Sequence, residues 1–313
     1  MKCRVLIAGQ EGMVGSSVYN LLKTYKKYKI LECKRNDLDF TSQNSVDKWF
    51  KRKKPEIVIN AAGRVGGILD NKNNQSEYLY INTIIGLNII NSSHKFNVKK
   101  LINLGSACIY PKKVKQPISE NSLLTSVLEK TNEGYALAKI TSLKYCQYLR
   151  QKYKKDFISI QPANLYGEGD NFDLKSSHVL PALVKKFTRA KKNKKKIVEI
   201  WGSGKVRREF LNVEDLADAV NFLLKKKIKN DYINIGSGED ISIKVLAYLI
   251  KKIINYNGKI IFNKKYPDGV KVRKVNSSII KGLGWKPKVN LKKGLIKYCD
   301  YYANIIMPKE NLS

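Results

Sequence analysis

The sequence has 313 residues with a hydrophobic fraction of 43%, enough for a sizeable core and more than the usual size of a single domain. No stretch approaches the roughly 18 to 20 consecutive apolar residues of a membrane span, and the N-terminal residues enter an apolar run without room for a signal peptide. The five cysteines are scattered and only two histidines occur, which argues against a disulfide framework and a metal centre. We therefore expect a soluble, cytoplasmic protein without a metal.

The formal charge of +34 raises the question of a polyanionic partner, because dense positive charge binds nucleic acid by counterion release. Most of the 60 basic residues are lysines spread over nearly every predicted helix, whereas recognition of phosphates and bases usually favours arginine. We expect neither a nucleic-acid nor a membrane partner. The lysines are interpreted as solvated helix faces that also attract an anionic substrate.

The first half of the chain alternates short β-rich runs with amphipathic runs, the pattern of a parallel sheet covered on both faces. The predicted strands cover residues 3–8, 29–33, 56–60, 99–105 and 157–161. The predicted helices cover residues 13–25, 43–52, 73–96 and 133–153. This order predicts a doubly wound α/β domain of the Rossmann type.

After about residue 168 the alternation becomes irregular. Helices are predicted at 178–190, 213–226, from 241 onward and at 291–305, and strands at 197–201, 231–235 and 259–262. We assign residues 1–168, with 211–238 returning to them, to a dinucleotide-binding domain. Residues 169–210 and 239–313 are assigned to a smaller substrate-binding lobe over the carboxyl ends of the strands, where open α/β sheets bind ligands.

Gly9, Gly12 and Gly15 follow the first predicted strand directly and open the first helix. In the first turn of a βαβ unit, glycines permit a tight turn and a close backbone approach, while the free N–H groups of the helix bind pyrophosphate. Met13 and Val14 lie in the same turn. The pattern predicts a site for a nicotinamide dinucleotide.

The residues after the second strand indicate which dinucleotide binds. An acidic residue there would bind the ribose of NAD, but the sequence has Lys34 and Arg35, and positive charge suits a 2′-phosphate. We predict a preference for NADPH, with Arg35 and Lys34 facing that phosphate, although Glu11 in the glycine turn opposes it. The alternative is that both are two more solvated basic residues.

Tyr135 and Lys139 are four residues apart in a predicted helix and therefore share one face. A tyrosine hydroxyl titrates near about 10, and we expect the adjacent ammonium and a bound nicotinamide to lower that pKa. Ser106, directly after the predicted strand 99–105, would hydrogen-bond the substrate oxygen beside the tyrosine. The three residues together predict proton exchange with a carbonyl during hydride transfer.

Segments across nearly the whole chain resemble the GDP-L-fucose synthase family of extended short-chain dehydrogenases/reductases. The matching segments are residues 7–15, 65–68, 104–111, 131–136 with Lys139, 164–167, 170–172, 177–179, 201–204 and 208–210. The resemblance implies an NADPH-dependent homodimer, formed by the helices near 73–96 and 133–153. It also implies that the enzyme epimerises C3 and C5 of GDP-4-keto-6-deoxy-D-mannose and reduces C4, giving GDP-L-fucose.

The resemblance also implies a role for individual residues. Ser106, Tyr135 and Lys139 would carry the reduction, and Cys108 and His178 the epimerisations, with Cys108 as base and His178 as acid. Further residues would bind the cofactor: Leu104, Gly105, Lys139, Pro162, Asn164, Leu165 and His178. The substrate contacts would come from Lys186, Trp201, Arg208 and Asp268.

Two other functions remain open at this point. The enzyme could reduce another GDP-4-keto sugar, such as a deoxyheptose or a precursor of colitose, because Ala107 and Lys186 depart from the family's usual serine and arginine. A non-catalytic basic Rossmann protein is the second alternative. The joint presence of Ser106, Tyr135 and Lys139 argues against this alternative, because a protein that only binds has no reason to keep the three together.

Overall fold

The main sheet has six parallel strands, as this computed structural model shows for the residues that it describes, 2–34, 36–266 and 268–310. The strands of the chain are β1 Cys3–Ala8, β2 Tyr28–Leu31, β3 Ile57–Asn60, β4 Lys100–Leu104, β5 Asp156–Pro162, β6 Asn164–Tyr166, β7 Ile197–Trp201, β8 Arg207–Asn212, β9 Tyr232–Ile235, β10 Asp240–Ser242, β11 Lys259–Asn263 and β12 Val272–Arg273. The main sheet runs in the order β2-β1-β3-β4-β5-β9. This architecture confirms the predicted doubly wound α/β fold.

Helices cover the sheet and make up much of the chain after it. They are α1 Met13–Leu22, α2 Gln43–Lys53, α3 Ile68–Asn73, α4 Gln75–Lys95, α5 Glu133–Tyr153, α6 Val179–Lys192, α7 Val213–Leu224, α8 Ile243–Ile254, α9 Ser278–Gly282, α10 Leu291–Tyr301 and α11 Met307–Glu310. Short 3₁₀ turns cover Ala107–Ile109, Glu120–Ser122 and Lys130–Asn132. Within the described residues, no helix is long and apolar enough to cross a membrane.

Apolar side chains bury both faces of the main sheet, as its parallel pairing requires. All five residues of the central strand β4 are buried. Helices α1 and α7 pack on one side through residues such as Val18 and Leu216, and α2 contributes Trp49 and Phe50 to the cluster on the other side. A third cluster, which includes Phe187, lies in the smaller lobe between α6, α8 and α10. The assignment of residues to two domains stays a prediction.

A second sheet, built around β8, was not predicted from the sequence. Its central strand β8 pairs with β6, β10 and β12. The charged start of β8, Arg207-Arg208-Glu209, hides the apolar pattern, yet Glu209 is fully buried. Its carboxylate accepts hydrogen bonds from the backbone N–H groups of Gly238 (2.7 Å) and Val275 (2.8 Å), which offset the burial of a charge.

Most predicted elements lie within a few residues of the observed ones, and α5 has the predicted bounds. The predicted helix 73–96 corresponds to α4, and the short helix α3 before it, which ends where α4 begins at Asn74, was not predicted. Asn74 has a non-helical backbone (φ −129°, ψ 40°), and its side chain donates to the carbonyl oxygen of Asp70 at 3.0 Å. That side-chain bond competes with continuation of the helix.

Helices α4 and α5 pack closely, and this contact sets the position of α5. A Cβ at Gly86 of α4 would lie 2.1 Å from the hydroxyl oxygen of Ser142 in α5. A Cβ at Gly134, in the first turn of α5, would lie 2.4 Å from the carbonyl oxygen of Gln75. Glycine at both positions therefore allows the backbones to approach.

Replacing Gly86 by valine should lower the free energy of unfolding by about 1 to 3 kcal/mol, because the new side chain overlaps Ser142. Urea unfolding followed by circular dichroism measures this loss. Gly282→Ala is the control, since a Cβ at Gly282 meets no atom within 4 Å. Unchanged stability of Gly86→Val would contradict the close packing of α4 and α5.

Candidate active site

The site lies at the carboxyl ends of the parallel strands, where the direction of winding reverses. Strand β1 pairs with β2 on one side and with β3 on the other. The connection from β1 to β2 and the connection from β2 to β3 therefore run in opposite directions along the sheet. Such a switch point leaves a crevice at the ends of the strands. Gly9 follows β1 at this point.

The glycine turn fits a phosphate-binding site. Gly9 has a positive φ of 79°, and a Cβ at Gly15 would lie 2.0 Å from the carbonyl oxygen of Gly9, so both are required by the turn itself. A Cβ at Gly12 would meet only that oxygen, at 3.4 Å, so packing alone does not require glycine there. Gly12 precedes α1 without a side-chain cap, and Met13 and Val14 are the first helical residues. The first N–H groups of a helix have no acceptor within the helix, so those of Met13 and Val14 suit a phosphate.

The residues proposed to select the 2′-phosphate are described only in part. Lys34 is exposed, and its backbone N–H donates to Asp37 at 2.9 Å. Arg35 lies outside the described residues. Gln10 of the glycine turn accepts a hydrogen bond from the backbone N–H of Cys33 at 3.4 Å, which holds the end of β2 against the turn.

Ser106 is held in place by Gln161, a residue that the sequence analysis missed. The backbone N–H of Ser106 donates to the Oε1 of Gln161 at 2.8 Å, and Gln161 is fully buried in β5. A Cβ at Gly105 would lie 1.9 Å from the same oxygen. Only glycine at this position therefore leaves room for the Gln161 side chain to reach the backbone of Ser106. The sequence did contain a signal for Gln161. It places a side-chain amide among the apolar residues at the end of β5, and a buried amide needs hydrogen-bond partners.

Tyr135 and Ser106 meet through a hydrogen bond between their side chains. Both residues that α5 contributes are buried, with 9% of Tyr135 and 8% of Lys139 exposed. The ammonium of Lys139 lies 5.8 Å from the centre of the Tyr135 ring and donates to the carbonyl oxygen of Leu104 at 2.9 Å. The structure thus brings the three predicted residues together.

Without a bound nucleotide, the pKa of Tyr135 is raised rather than lowered. Burial raises this pKa, the neighbouring Cys108 raises it further, and the hydrogen bond from Ser106 only partly offsets the two. Burial also lowers the pKa of Lys139 to about 8. The phenol is therefore protonated at neutral pH, which is the form that a proton donor needs.

Cys108 lies in the 3₁₀ turn that follows Ser106. Its backbone N–H donates to the Ser106 hydroxyl at 3.2 Å, and its side chain is half-buried. Two guanidinium groups of the smaller lobe, Arg208 and Arg273, interact electrostatically with it. Arg273 was not among the predicted site residues.

His178 is the residue before α6, and a close contact between loops places it. The backbone N–H of Gly67 donates to the carbonyl oxygen of Ser176 at 2.6 Å, and a Cβ at Gly67 would lie 2.3 Å from the carbonyl oxygen of Ser177. His178 remains accessible to solvent, yet the surrounding protein lowers its pKa by desolvation. The described residues contain no group of three or more side chains suited to a metal ion.

The remaining predicted cofactor residues lie at neighbouring strand ends. Leu104 ends β4 and Pro162 ends β5, the next strand of the sheet. Asn164 and Leu165 open β6, and the Asn164 side chain donates to the carbonyl oxygen of Glu209 at 2.8 Å. Both strand ends therefore border the crevice.

The predicted substrate residues form a group in the smaller lobe. The ammonium of Lys186 lies 5.2 Å from the centre of the Trp201 ring, and Trp201 stacks on Tyr266 at 4.2 Å. Asp268 accepts hydrogen bonds from the backbone N–H (2.9 Å) and the hydroxyl (2.6 Å) of Ser203, two residues after Trp201. Tyr266, which the sequence analysis also missed, adds a second exposed aromatic face.

Comparison with known proteins agrees with this arrangement. Residues 5–236 match the NAD dependent epimerase/dehydratase family. A GDP-L-fucose synthase from Sinorhizobium fredii is 44% identical over 96% of this chain and 96% of its own. The chain belongs to the NAD dependent epimerase/dehydratase family, in its GDP-L-fucose synthase branch.

Two solved structures superpose on nearly the whole chain. A GDP-6-OMe-4-keto-L-xylo-heptose reductase from C. jejuni has a TM-score of 0.90 and 34% identity, covering 96% of this chain and 97% of its own. A GDP-L-fucose synthetase from Naegleria fowleri bound to NADP has a TM-score of 0.87 and 26% identity, covering 96% and 92%. The family resemblance found in the sequence is thereby confirmed.

The lowered pKa of Lys139 predicts a pH effect on stability that can be isolated with Lys139→Met. The unfolded chain keeps the usual lysine pKa, so between pH 8 and 10.5 it binds more protons than the folded one, and stability rises with pH. The free energy of unfolding of the wild type, minus that of Lys139→Met, should increase by about 3 kcal/mol from pH 7 to pH 10.5. Denaturant unfolding at the two pH values measures the difference, and a constant value would contradict the desolvation of Lys139.

Proposed function

We propose that this protein is an NADPH-dependent epimerase/reductase that converts GDP-4-keto-6-deoxy-D-mannose to GDP-L-fucose. The observation that carries the proposal is the grouping of the buried Tyr135 with Ser106 and Cys108, which both interact with its hydroxyl, beside Lys139 and at the same strand ends as the glycine turn. This arrangement offers one proton donor for a ketone oxygen and a separate thiol for the carbon atoms next to it. Family membership supports both activities in one chain.

Reduction requires a proton at the C4 oxygen, and Tyr135 supplies it. Burial keeps the phenol protonated, and the Ser106 hydroxyl orients the phenol and the C4 oxygen together. Lys139, fixed by Leu104, provides a cation beside the phenolate that forms. NADPH, when bound, supplies the hydride. Solvent has little access to Tyr135 and Lys139, so the proton transfer is protected from water.

Epimerisation inverts C3 and C5, whose protons are acidified because both carbons flank the C4 carbonyl. Inversion needs a base on one face and an acid on the other, and we assign Cys108 and His178 to these roles. Cys108 comes from the strand-end loop, and His178 from the start of α6 in the other lobe. Desolvation favours the neutral imidazole in the free protein. The negative charge of the bound substrate then favours protonation of His178, which provides the proton that His178 donates as the acid.

The smaller lobe would bind the GDP group. Lys186 and Arg208 supply positive charge for the diphosphate, and Trp201 supplies an exposed aromatic face for the base or sugar. Asp268 holds the Ser203 loop against Trp201 and can accept a hydrogen bond from the ligand.

We further infer that NADPH is preferred over NADH through Arg35 and Lys34. The glycine turn and the N–H groups of α1 would hold the pyrophosphate. The NADP bound to the Naegleria fowleri relative supports this choice. Similar dissociation constants for NADPH and NADH would contradict it.

A cytoplasmic homodimer through α4 and α5 is part of the proposal. Large apolar side chains on the outer faces of these helices are exposed, among them Tyr80 (66%) and Tyr148 (59%). Such groups are expected at a contact between subunits. Light scattering would test it, and the mass of a single chain would contradict it.

Another GDP-4-keto sugar is the second candidate substrate. The specific observation in its favour is the TM-score of 0.90 to a heptose reductase, at 34% identity. Comparing turnover with the 6-deoxy ketone and a 4-keto heptose separates the two candidates.

Tyr135→Phe removes the proton donor and should lower the rate of hydride transfer by about 10² to 10⁴-fold. The measurement is NADPH absorbance with GDP-4-keto-6-deoxy-D-mannose. Tyr153→Phe, at the exposed end of the same helix, should keep the wild-type rate. Near-normal turnover in Tyr135→Phe would exclude the tyrosine as acid.

Cys108→Ser should block deuterium incorporation from solvent at C3 and C5, because a serine hydroxyl is a much weaker base than a thiolate. NMR of the ketone in D₂O without nucleotide measures the exchange. NADPH should still reduce the unepimerised ketone slowly. Cys3→Ser, which also changes a half-buried cysteine, is the control. Undiminished exchange in Cys108→Ser would overturn the assignment.

A further inference from the structure

Arg273 and Arg208 stand side by side in the second sheet. Strand β12 pairs in parallel with β8, and Arg273 is the register partner of Arg208. Side chains in register on neighbouring strands extend to the same face, and like charges there repel. Burial, followed by the nearby charge of Arg273, lowers the pKa of Arg208. The pair is therefore costly for stability, which suggests that it serves the site.

The two arginines make different hydrogen bonds. Nη1 of Arg208 stays within the smaller lobe and donates to the carbonyl oxygen of Val270 at 2.7 Å. Nη1 of Arg273 instead reaches the dinucleotide-binding domain, where it donates to the carbonyl oxygens of Tyr110 and Pro111, both at 3.2 Å. These carbonyls lie two and three residues beyond Cys108. Arg273 thus fixes the outgoing end of the loop that carries the thiol.

The charged and titratable groups around Cys108 come from three elements. Tyr135 of α5, Arg208 of β8 and Arg273 of β12 all interact with the thiol. Glu129, which precedes α5 in the chain, attracts both arginines and pairs with Lys112 at 3.3 Å. Arg273 is the one of these groups that also hydrogen-bonds the backbone of the Cys108 loop.

We propose that Arg273 is a positioning residue for epimerisation: it holds the Cys108 loop through two carbonyl oxygens and presents its positive charge to the thiolate. The inference rests on the proposed function, in which Cys108 is the base. A base displaced by about 1 Å can lose about 100-fold in rate. Ser106 holds the incoming end of the turn through the backbone N–H of Cys108, and the two hydrogen bonds of Arg273 restrain its outgoing end.

The reductive half of the site is held by other contacts. Ser106 is fixed by Gln161, and Lys139 is fixed by Leu104. Tyr135 lies on α5, whose position depends on α4. Loss of Arg273 should therefore impair proton transfer at C3 and C5 and leave hydride transfer at C4 nearly unchanged. A purely structural role would impair both.

The test compares Arg273→Gln and Arg273→Lys with Arg207→Gln. Arg207 directly precedes Arg208 in β8. It is exposed and pairs with Asp240, so Arg207→Gln controls for the loss of an arginine from the β8–β12 pair. Deuterium exchange at C3 and C5 of GDP-4-keto-6-deoxy-D-mannose measures epimerisation. The initial rate of NADPH formation from GDP-L-fucose and NADP⁺ measures hydride transfer without any epimerisation.

Arg273→Gln should lower exchange about 100-fold and change hydride transfer less than about threefold. Arg273→Lys keeps the charge but loses the planar fork, so it should recover only part of the exchange. Arg207→Gln should match the wild type in both assays. A parallel loss of both rates in Arg273→Gln, or exchange at the wild-type rate, would overturn the proposal.

A second readout needs no substrate. Alkylation of Cys108 by iodoacetamide, followed by peptide mass spectrometry, reports thiolate reactivity. Arg273→Gln should slow it several-fold relative to the wild type and Arg207→Gln, and equal rates would overturn the role of Arg273. Absence of exchange in the wild type would instead overturn the proposed function, so the two failures are distinguishable.

Discussion

The hydrogen bond from the backbone N–H of Ser106 to the buried side chain of Gln161 determines the geometry of the whole site. It joins the end of β4 to its neighbour β5, across a glycine that leaves room for the amide. Ser106 in turn holds Cys108 through its hydroxyl and contacts Tyr135. Two rigid strands therefore position the serine from which both the thiol and the phenol are placed, as a preorganised site requires.

Desolvation is the second constraint on the site. Burial raises the pKa of Tyr135 and lowers that of Lys139 to about 8, so both shifts oppose the formation of charge in the free protein. The same burial strengthens the attraction between the phenolate and the ammonium once the proton has left. Burial of these two groups lowers the stability of the protein, but it keeps the Tyr135 phenol protonated until it donates its proton.

The sequence predicted what depends on local pattern. Alternating apolar runs predicted the parallel sheet, and α5 with Tyr135 and Lys139 was located to the residue. The second sheet could not be predicted, because β8 begins with charged residues whose partners, such as the N–H groups for Glu209, come from distant loops. The break between α3 and α4 at Asn74 depends on side-chain hydrogen bonds to the carbonyl and carboxylate oxygens of Asp70.

Contacts between distant segments were likewise beyond the sequence. Gln161 and Arg273 act on residues 55 and about 160 positions away, and no periodicity encodes such pairs. The raised pKa of Tyr135 in the protein without a nucleotide could not be predicted for a similar reason. Spacing alone places an ammonium near the phenol, whereas the degree of burial, which reverses the sign, is a property of the folded chain.

One isotope experiment tests the central claim that this site both epimerises and reduces. The protein is mixed with unlabelled NADPH and GDP-4-keto-6-deoxy-D-mannose in D₂O, and the product is analysed by NMR and mass spectrometry. The account predicts GDP-L-fucose with deuterium at C3 and C5 and protium at C4, because C3 and C5 receive solvent deuterons and C4 receives the hydride. A reduced sugar without deuterium at C3 and C5, or no oxidation of NADPH, would contradict it.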